Sequence, residues 1–338
     1  MIRLAIHSII RETDDTKSFV LEPVQEPVHY LPGQFLTLLH PLAPAVRRSY
    51  SLSSHPLLDQ SLRITVKRIA NGQFSRWLFD EATVGDHVDT IGASGFFTLP
   101  DTLPAESPVV FVAAGSGITP VISLLKEILF RRKGRAILIY SNRSLKDTIF
   151  HDELKELAEK FRERFDLHFL FSNNRDLSRA RLSQTLLIDL LASIHDKSRC
   201  LVYLCGPHDY MQTATISLLT EGVLPANVRT EKFNTDKPSA RLRPPDTDAH
   251  QVTISYRGKT YSLRVQYPDT ILRVGQREGI DLPYSCEAGR CGTCAATCVS
   301  GKVWMSRNEV LLDKETASGR VLICTGYPVG GDANLSIT

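Results

Sequence analysis

P-Y-S-C-E-A-G-R-C-G-T-C, residues 283–294, brings three cysteines into one short segment of the chain. Cys286, Cys291 and Cys294 follow the spacing C-x4-C-x2-C, and Cys324 stands further along. Four thiolates in this spacing hold a [2Fe–2S] cluster, two on each iron. The glycines and the alanine between the cysteines let the backbone wrap around such a cluster and point N–H groups at its sulfurs. The sequence therefore predicts a [2Fe–2S] cluster on these four cysteines.

Other uses of the cysteines fit the sequence less well. A zinc ribbon requires two C-x2-C pairs, and the chain has one. Disulfides are typical of exported proteins, whereas the N-terminus has too short an apolar run for a signal peptide and lacks a cleavage site. Cys200 and Cys298 have no motif around them and are interpreted as packing residues. Seven cysteines without an export signal favour a reducing, cytoplasmic location.

The composition narrows the class of protein. A chain of 338 residues is expected to form two or three domains. Hydrophobic residues at 42% and charged residues at 23% are typical of a soluble globular protein. The formal charge of +3 is too small to favour a nucleic-acid partner, and no run of Lys or Arg forms a patch. The most apolar long segment, 109–130, is interrupted by glycines, a proline and a lysine, so we expect no membrane span.

The pattern along the chain predicts three domains and one linker. Residues 1–104 alternate short β-type runs with turns, which favours an antiparallel β-barrel. Residues 105–234 alternate apolar strands with helices, which predicts a parallel, doubly wound α/β sheet. Residues 235–249 are polar and proline-rich and are predicted to be a linker. In 250–338 a hairpin precedes a short helix, as at the start of an α+β fold of the β-grasp type.

Individual elements follow from the same patterns. Strands are predicted at 18–22, 33–39, 61–68, 87–91, 109–113, 136–140, 166–171, 200–205, 252–256 and 261–265. Helices are predicted at 120–132, 148–164, 182–192 and 207–221, and a further one is expected to begin after the cap Asp269-Thr270 and end near 278.

The strand residues Arg48-Ser49-Tyr50-Ser51 resemble the R-x-Y-S/T flavin signature of the ferredoxin-NADP reductase superfamily. The resemblance implies that Arg48 neutralises the flavin pyrophosphate, that Tyr50 covers the isoalloxazine, and that Ser51 reaches its N5 as a catalytic residue. The segment V-K-R-I-A-N-G-Q-F-S, 66–75, resembles the phosphate-binding G-x-x-S turn of that family. The implied flavin residues are Arg48, Ser49, Tyr50, Ser51, Val66, Lys67, Gly72, Gln73, Phe74 and Ser75. A short signature of this kind also occurs on exposed strands that bind nothing.

Two further motifs resemble the nucleotide site of the same family. Gly115-Ser116-Gly117-Ile118-Thr119-Pro120 joins an apolar strand to a helix, which is the setting that a dinucleotide pyrophosphate requires. Cys205-Gly206-Pro207 ends the last predicted strand of the domain, and the resemblance places this cysteine beside the nicotinamide as a catalytic residue. The implied NAD(P)-binding residues are Gly115, Gly117, Thr119, Pro120, Cys205, Gly206 and Pro207. A small buried core residue is the alternative for Cys205.

Three more residues are weaker candidates. Phe233 ends the nucleotide domain, where related proteins place an aromatic ring against the flavin, although a hydrophobic domain terminus explains it equally well. Ser141 and Arg143 follow the strand 136–140, and an arginine at such a strand end can accept a 2′-phosphate, which favours NADPH over NADH. A solvated arginine at the start of a loop is the alternative.

The order of the domains resembles the oxygenase-reductase type with a C-terminal plant-type ferredoxin, in particular the phenylacetyl-CoA epoxygenase reductases. This implies FAD, a [2Fe–2S] cluster and NADPH or NADH, with electrons delivered to a ring-hydroxylating or epoxidising oxygenase. The related phthalate dioxygenase reductases bind FMN and have an altered G-x-x-S turn. Here G-Q-F-S is complete, which favours FAD. A flavin must stand between the other two groups, because a nicotinamide gives two electrons as a hydride and the cluster accepts one.

Three functions remain open at this point. The chain is a reductase component for a di-iron or Rieske oxygenase, a stand-alone reductase of a haem or hybrid-cluster protein, or a redox-sensing module with little turnover. Basic and acidic residues are nearly balanced beyond residue 250, whereas free ferredoxins are typically acidic. Free ferredoxins use their negative charge to find a reductase, whereas a tethered ferredoxin domain is kept at a high effective concentration by its linker. The balanced charge therefore favours electron transfer within the chain.

Overall fold

The computed structural model describes residues 1–103, 107–233 and 242–337. The chain divides into two compact units, Met1–Phe233 and Asn234–Thr338. In the described part of the chain, every helix is too short or too polar to cross a lipid bilayer.

The first unit begins with a six-stranded antiparallel sheet in the order β4-β3-β6-β1-β2-β5. A bridge between Leu52 and Ile64 joins the two edge strands and closes the sheet into a barrel. Its core includes Leu4, Phe19 and Leu38, all fully buried. The strands are β1 (Ile2–Thr13), β2 (Thr16–Pro23), β3 (Phe35–His40), β4 (Ala43–Ser51), β5 (Leu62–Lys67) and β6 (His87–Ser94); helix α1 (Gln73–Arg76) continues into a π-helical turn (Trp77–Glu81).

The same unit continues with a five-stranded parallel sheet in the order β11-β10-β7-β8-β9. Helices cover both of its faces, with one core around Phe111 and Leu138 and another around Val112 and Leu204, so the doubly wound prediction is confirmed. The strands are β7 (Val109–Ala114), β8 (Ala136–Asn142), β9 (Phe165–Phe171), β10 (Leu201–Cys205) and β11 (Val228–Glu231). The α-helices are α2 (Ile118–Lys126), α3 (His151–Lys160), α4 (Gln184–Leu190) and α5 (His208–Thr220). The other turns are a π-helical one (Glu127–Arg131) and 3-10 helices at Gly115–Gly117, Leu145–Asp147, Lys197–Arg199 and Pro225–Asn227.

The helices predicted over 148–164 and 182–192 are both shorter in the structure, and the second runs only from Gln184 to Leu190. The helix expected over 148–164 runs only from His151 to Lys160. Phe150 precedes it with a left-handed φ of 59°, which a continuing helix does not allow. The amphipathic pattern did not register this local backbone reversal.

The second unit has a mixed five-stranded sheet in the order β13-β12-β18-β14-β16, in which β12 and β18 run parallel at the centre. Thr270 caps α6 as predicted, because its hydroxyl accepts from the backbone N–H of Arg273 at 3.3 Å. The strands are β12 (His250–Tyr256), β13 (Lys259–Val265), β14 (Ala295–Ser300), β15 (Val303–Met305), β16 (Arg320–Leu322), β17 (Gly326–Pro328) and β18 (Ala333–Ile337); the helices are α6 (Ile271–Arg277) and α7 (Asp313–Ala317).

The segment that precedes β12 belongs structurally to the second unit. Pro244 is buried. Asp246 Oδ2 accepts from the backbone N–H of Gly330 at 2.6 Å and lies 2.7 Å from His250 Nε2. These contacts, the backbone N–H of Gly330 first, lower the pKa of Asp246 to about 2. Residues 242–249 of the predicted linker 235–249 are therefore held against the second unit by these contacts. Residues 235–241 lie outside the described residues. The predicted domain boundary at 104 also lies outside them.

Candidate functional site

The cysteine loop of the second unit turns sharply between Cys286 and Cys294. Glu287, Gly289 and Gly292 have φ of 50°, 72° and 77°, so the backbone reverses direction three times within the loop. A Cβ on Gly289 would stand 2.7 Å from the carbonyl oxygen of Arg307, and the Gly289 carbonyl accepts from Glu309 N at 2.9 Å. Only a glycine fits at this position, and its lack of a side chain lets the segment around Arg307 pack closely against the loop.

The four thiols come together as two pairs. Cys286 shares a hydrogen bond with Cys291, and Cys294 shares one with Cys324. No group of three or more His, Cys, Asp or Glu side chains in 1–103, 107–233 or 242–337 is arranged around a single metal position. Two adjacent thiol pairs match the two irons of a [2Fe–2S] cluster, each with two cysteine ligands. The donor set therefore fits the predicted cluster.

Backbone N–H groups surround the first pair. The hydrogen bond from Cys291 lowers the pKa of Cys286, and the N–H groups of Ala288, Arg290 and Cys291 add to this against the opposing effect of burial. The Ala288 N–H lies 3.4 Å from Cys286 Sγ. Donors in these positions stabilise thiolates, and in a loaded site they also hydrogen-bond cluster sulfurs. Cys294 and Cys324 are buried, whereas Cys286 and Cys291 are partly exposed.

The two predicted flavin segments of the barrel meet through their aromatic residues. Tyr50 on β4 packs edge-to-face on Phe74 of α1, with ring centroids 5.7 Å apart. Ser49 Oγ and Thr37 Oγ1 are 3.2 Å apart, which fixes β4 against β3. Arg48 is exposed on the same strand, with Nη1 donating to the Arg47 carbonyl at 2.7 Å. The motifs at 48–51 and 66–75 therefore lie side by side, as a bound flavin requires.

The G-Q-F-S turn is built as a helix start. Gly72 is extended and no side chain caps α1. Ser75 Oγ donates to the Gly72 carbonyl at 3.2 Å and accepts from Ile69 N at 3.3 Å, so this hydroxyl stabilises the turn itself. An uncapped helix start offers its N–H groups to a pyrophosphate. Of the other predicted residues, Gln73 is exposed, Val66 is buried in β5, and Lys67 pairs with Asp15 at 3.1 Å.

Two aromatic residues beside this site were not predicted. His40 lies 5.0 Å from the Phe74 ring and 5.5 Å from the Trp77 ring, measured between centroids. Burial lowers the pKa of His40, and its Nδ1 accepts from Leu42 N at 3.2 Å. Together with Tyr50 they form an aromatic surface suited to flat rings. His40 stands alone in the sequence, so no spacing rule could have found it.

The two nucleotide motifs lie in direct contact although they are far apart in sequence. A Cβ on Gly117 would stand 1.9 Å from the Cys205 carbonyl oxygen, and one on Gly206 would stand 3.1 Å from Ala114 Cβ. Gly115 has a φ of 54°, and its carbonyl accepts from Tyr140 Oη at 2.9 Å. Both glycines of the G-x-G motif are therefore required by geometry, Gly115 for its φ and Gly117 for the close approach of β10.

The remaining predicted nucleotide residues gather at the carboxyl ends of the parallel strands. Ser141 Oγ donates to Tyr210 Oη at 3.0 Å, and Tyr210 Oη donates to the Ala113 carbonyl at 3.1 Å. Thr119 Oγ1 donates to the Ser116 carbonyl at 3.0 Å, and Pro120 and Thr119 are buried in the first turn of α2. Arg143 is exposed just beyond β8. This edge of a parallel sheet is where such folds bind ligands.

A carboxyl group beside Cys205 was also missed. Cys205 is fully buried, and burial first, then the neighbouring Glu231, raises its pKa well above the usual range. The thiol is therefore protonated and can act as a neutral contact but not as a thiolate. Burial raises the pKa of Glu231 to about 8. Phe233, two residues further on, is 44% exposed, and Ser51 is buried at the end of β4.

Three family models match the chain. They are "Oxidoreductase FAD-binding domain" over residues 3–99, "Oxidoreductase NAD-binding domain" over 111–215 and "2Fe-2S iron-sulfur cluster binding domain" over 254–329. The three ranges contain the flavin segments, the nucleotide motifs and the cysteine loop respectively. The cofactor predictions of FAD, NAD(P) and [2Fe–2S] are thereby confirmed.

Relatives match over nearly the whole chain. The ferredoxin reductase component of 3-ketosteroid-9-alpha-monooxygenase from Rhodococcus rhodochrous is 35% identical, with 96% of this chain and 94% of the relative covered. A component of 1,2-phenylacetyl-CoA epoxidase from Escherichia coli (strain K12) is 30% identical, with 97% and 95% covered. Phthalate dioxygenase reductase, described as a modular structure for electron transfer from pyridine nucleotides to [2Fe–2S], has a TM-score of 0.62 and 26% identity, with 99% and 97% covered.

Proposed function

Because this chain belongs to the family of ferredoxin reductase components of oxygenases, we propose that it oxidises NAD(P)H and delivers single electrons to a separate oxygenase. The observation that carries the proposal is the presence in one chain of matches to FAD-binding, NAD-binding and [2Fe–2S]-binding domains together with two pairs of thiols. The named relatives serve oxygenases with different substrates. What they share is the reductase role, so the proposal is for that role.

The first unit would hold both the flavin and the nucleotide. Bound FAD supplies the conversion of a two-electron hydride into single electrons. Arg48 and the start of α1 supply positive charge and N–H donors for the FAD pyrophosphate. Gly117 allows the Cys205 strand end to approach, which shapes the floor where a nicotinamide would lie. The Cys205 thiol lies here beside Glu231, and burial raises the pKa of both groups, so both are mainly protonated at neutral pH.

The second unit would supply the one-electron exit. A bound [2Fe–2S] cluster takes up and releases one electron at a time. Cys286, Cys291, Cys294 and Cys324 would hold it, and the partly exposed pair Cys286 and Cys291 marks the side closest to solvent. An acceptor protein is therefore proposed to dock at that side of the loop.

The nucleotide is proposed to be NADPH rather than NADH. Arg143 supports this, because it is exposed at the carboxyl end of β8, where an arginine can pair with a 2′-phosphate. The protein is proposed to work in the cytoplasm, which its seven free cysteines support.

The deciding experiment starts with the purified protein loaded with FAD and cluster. Rapid NAD(P)H-dependent reduction of cytochrome c is expected and would exclude a redox sensor with little turnover. A partner captured from extract should then turn over its substrate when mixed with this chain and NAD(P)H. Capture of a haem or hybrid-cluster protein instead, with efficient reduction of it, would replace the oxygenase by that acceptor.

A further inference from the structure

The chain that follows the flavin motif on β4 contacts helix α2 beyond its nucleotide motif. After Ser51 the chain of β4 continues through Ser54 and His55, which are 1% exposed each. Helix α2 begins directly after the G-x-G turn, contains Ser123 and Lys126, and is followed at once by Glu127 of the π-helical turn. Ser54, His55 and Asp59 contact Ser123, Lys126 and Glu127, and we call these six residues the interdomain clamp.

The central contact of the clamp is a buried hydrogen bond between side chain and backbone. Ser123 Oγ donates to the Ser54 carbonyl oxygen at 2.7 Å, and both residues are buried. Ser54 is itself fixed in the barrel, since its Oγ accepts from Arg63 N at 2.9 Å and lies 2.7 Å from Tyr30 Oη. The helix is therefore attached to a rigid part of the barrel.

Two polar side-chain contacts flank that bond. The Leu57 N–H donates to His55 Nδ1 at 3.2 Å, so His55 Nε2 carries a proton and donates to Glu127 Oε2 at 2.8 Å. The His55 side chain is 1% exposed and that of Glu127 is 13% exposed. Lys126 Nζ lies 2.9 Å from Asp59 Oδ2. Buried polar contacts of this kind are directional and fix one relative position of the two elements.

The helix carries the nucleotide motif and the clamp on one face. Thr119, Ser123 and Glu127 are spaced four residues apart, which places them in one row along α2 and the π-helical turn that continues it. Eight residues of helix separate Thr119 from Glu127 by about 12 Å. His55 follows Ser51 by four residue steps, which span at most about 14 Å. A shift of the clamp residues would therefore move Ser51 and Thr119 as well, because only a short segment of chain and two turns of helix separate them from the clamp.

From this geometry we infer that the interdomain clamp sets the distance and angle between the isoalloxazine and the nicotinamide, so that its members are positioning residues for hydride transfer. The inference rests on the proposed function. A misplacement of about 1 Å in such a pair can cost up to about a hundredfold in rate. The side-chain hydrogen bonds that define the clamp lie outside residues 48–51 and 115–120, so weakening them should slow the hydride step while leaving both ligands bound.

The test compares four variants of the FAD- and cluster-loaded protein in single-turnover reduction of the flavin. Ser123→Ala removes the donor to Ser54. His55→Asn keeps an acceptor for Leu57 N but is too short to reach Glu127, whereas His55→Gln can still donate to Glu127. Ser217→Ala on α5 is the matched control, because it removes a buried hydroxyl that donates at 2.8 Å to Thr213 within its own helix.

Ser123→Ala and His55→Asn should reduce flavin about tenfold more slowly or worse. Their FAD content and nucleotide dissociation constant should be unchanged. The charge-transfer absorbance of the nucleotide complex should be weaker, and the deuterium isotope effect at the transferred position should be larger. His55→Gln should recover most of the rate, and Ser217→Ala should match the unchanged protein.

Several outcomes would overturn the inference. The first is an unchanged rate of flavin reduction and unchanged charge-transfer absorbance in Ser123→Ala, whatever its thermal stability. The second is a control variant, Ser217→Ala, that is slowed as much as Ser123→Ala. The third is equal slowing of His55→Gln and His55→Asn. Loss of FAD from His55→Asn with normal reduction in Ser123→Ala would also overturn it. If the unchanged protein bound FAD but neither NADH nor NADPH reduced it, the proposed function itself would fail, and the role of the clamp with it.

Discussion

Glu231 on β11 stands directly opposite Cys205 on β10, in register across the parallel sheet. An acid and a thiol are thus held together at the carboxyl edge, and both are protonated near neutral pH because burial disfavours their charged forms.

The raised pKa of Glu231 predicts how the stability of the first unit depends on pH. Burial raises the pKa of this carboxyl to about 8 in the folded protein, from its ordinary value of 4.5 in the unfolded chain. Between these values the folded state binds more protons, so this group makes stability fall as pH rises from about 4.5 to about 8. Glu231→Gln should flatten that fall, measured as the temperature of flavin release from pH 5 to 8.5. The exposed Glu156→Gln should retain the slope of the unchanged protein, and an identical slope in Glu231→Gln would contradict the assignment.

Cys291→Ser tests the electron order. Loss of one cluster ligand should abolish one-electron output and leave the flavin in place. Cytochrome c reduction should collapse while ferricyanide reduction persists. Cys298→Ser is the control, since Cys298 lies on β14 outside the cysteine loop and should change neither rate. Equal loss of both activities in Cys291→Ser would refute the order of flavin before cluster.

Arg48→Ala tests the flavin site. A charged hydrogen bond to the pyrophosphate contributes about 1.5–3 kcal/mol, so FAD affinity should fall roughly ten- to hundredfold. The purified variant should contain less FAD, measured by its visible absorbance. Arg3→Ala, which removes a surface pair with Asp89, should keep full occupancy. Full occupancy in Arg48→Ala at low added FAD would exclude Arg48 from the site.

Nucleotide preference is testable at Arg143. Without its guanidinium, the Michaelis constant for NADPH should rise by about tenfold or more and that for NADH should hardly change, because only NADPH has the 2′-phosphate. The neighbouring exposed Lys146→Ala should affect neither. A parallel change for both nucleotides would show that Arg143 does not bind the 2′-phosphate.

Cleavage near Arg241 should yield two folded pieces, because the boundary between the two compact units falls between Phe233 and Asn234. The first piece should bind FAD, oxidise NAD(P)H and reduce ferricyanide, and the second should keep the visible spectrum of the cluster. Mixed at micromolar concentration, they should exchange electrons much more slowly than the intact chain, which has a tether worth roughly millimolar effective concentration. Cofactor-free pieces, or a mixture as fast as the whole, would defeat this prediction.

Local spacing explains what the sequence predicted correctly. The cysteine loop and the G-x-G turn each lie within about a dozen residues, so their chemistry and their secondary structure can be read together. The alternation of strands and helices in 105–234 likewise predicted the doubly wound sheet.

Long-range register explains what was missed. His40 joins the flavin site only because β3 and the turn after β5 converge, and Glu231 reaches Cys205 only through the pairing of β10 with β11. The clamp contact between His55 and Glu127 likewise depends on how the two sheets pack. No local period records such pairings. Residues 242–249 have the polar composition of a linker, and their contact between Asp246 and Gly330 could not be seen in the sequence because the two residues are far apart along the chain.

That anchored segment matters for anyone who wishes to transplant the iron–sulfur module into another reductase. A cassette started at His250, where the first strand begins, would leave behind the acceptor of the Gly330 N–H and the buried Pro244. A cassette started at Leu242 would retain both Pro244 and the Asp246 side chain that accepts from the Gly330 N–H. The portable module therefore begins several residues before its first strand, and a chimera joined at the strand boundary would leave the Gly330 N–H without the Asp246 acceptor.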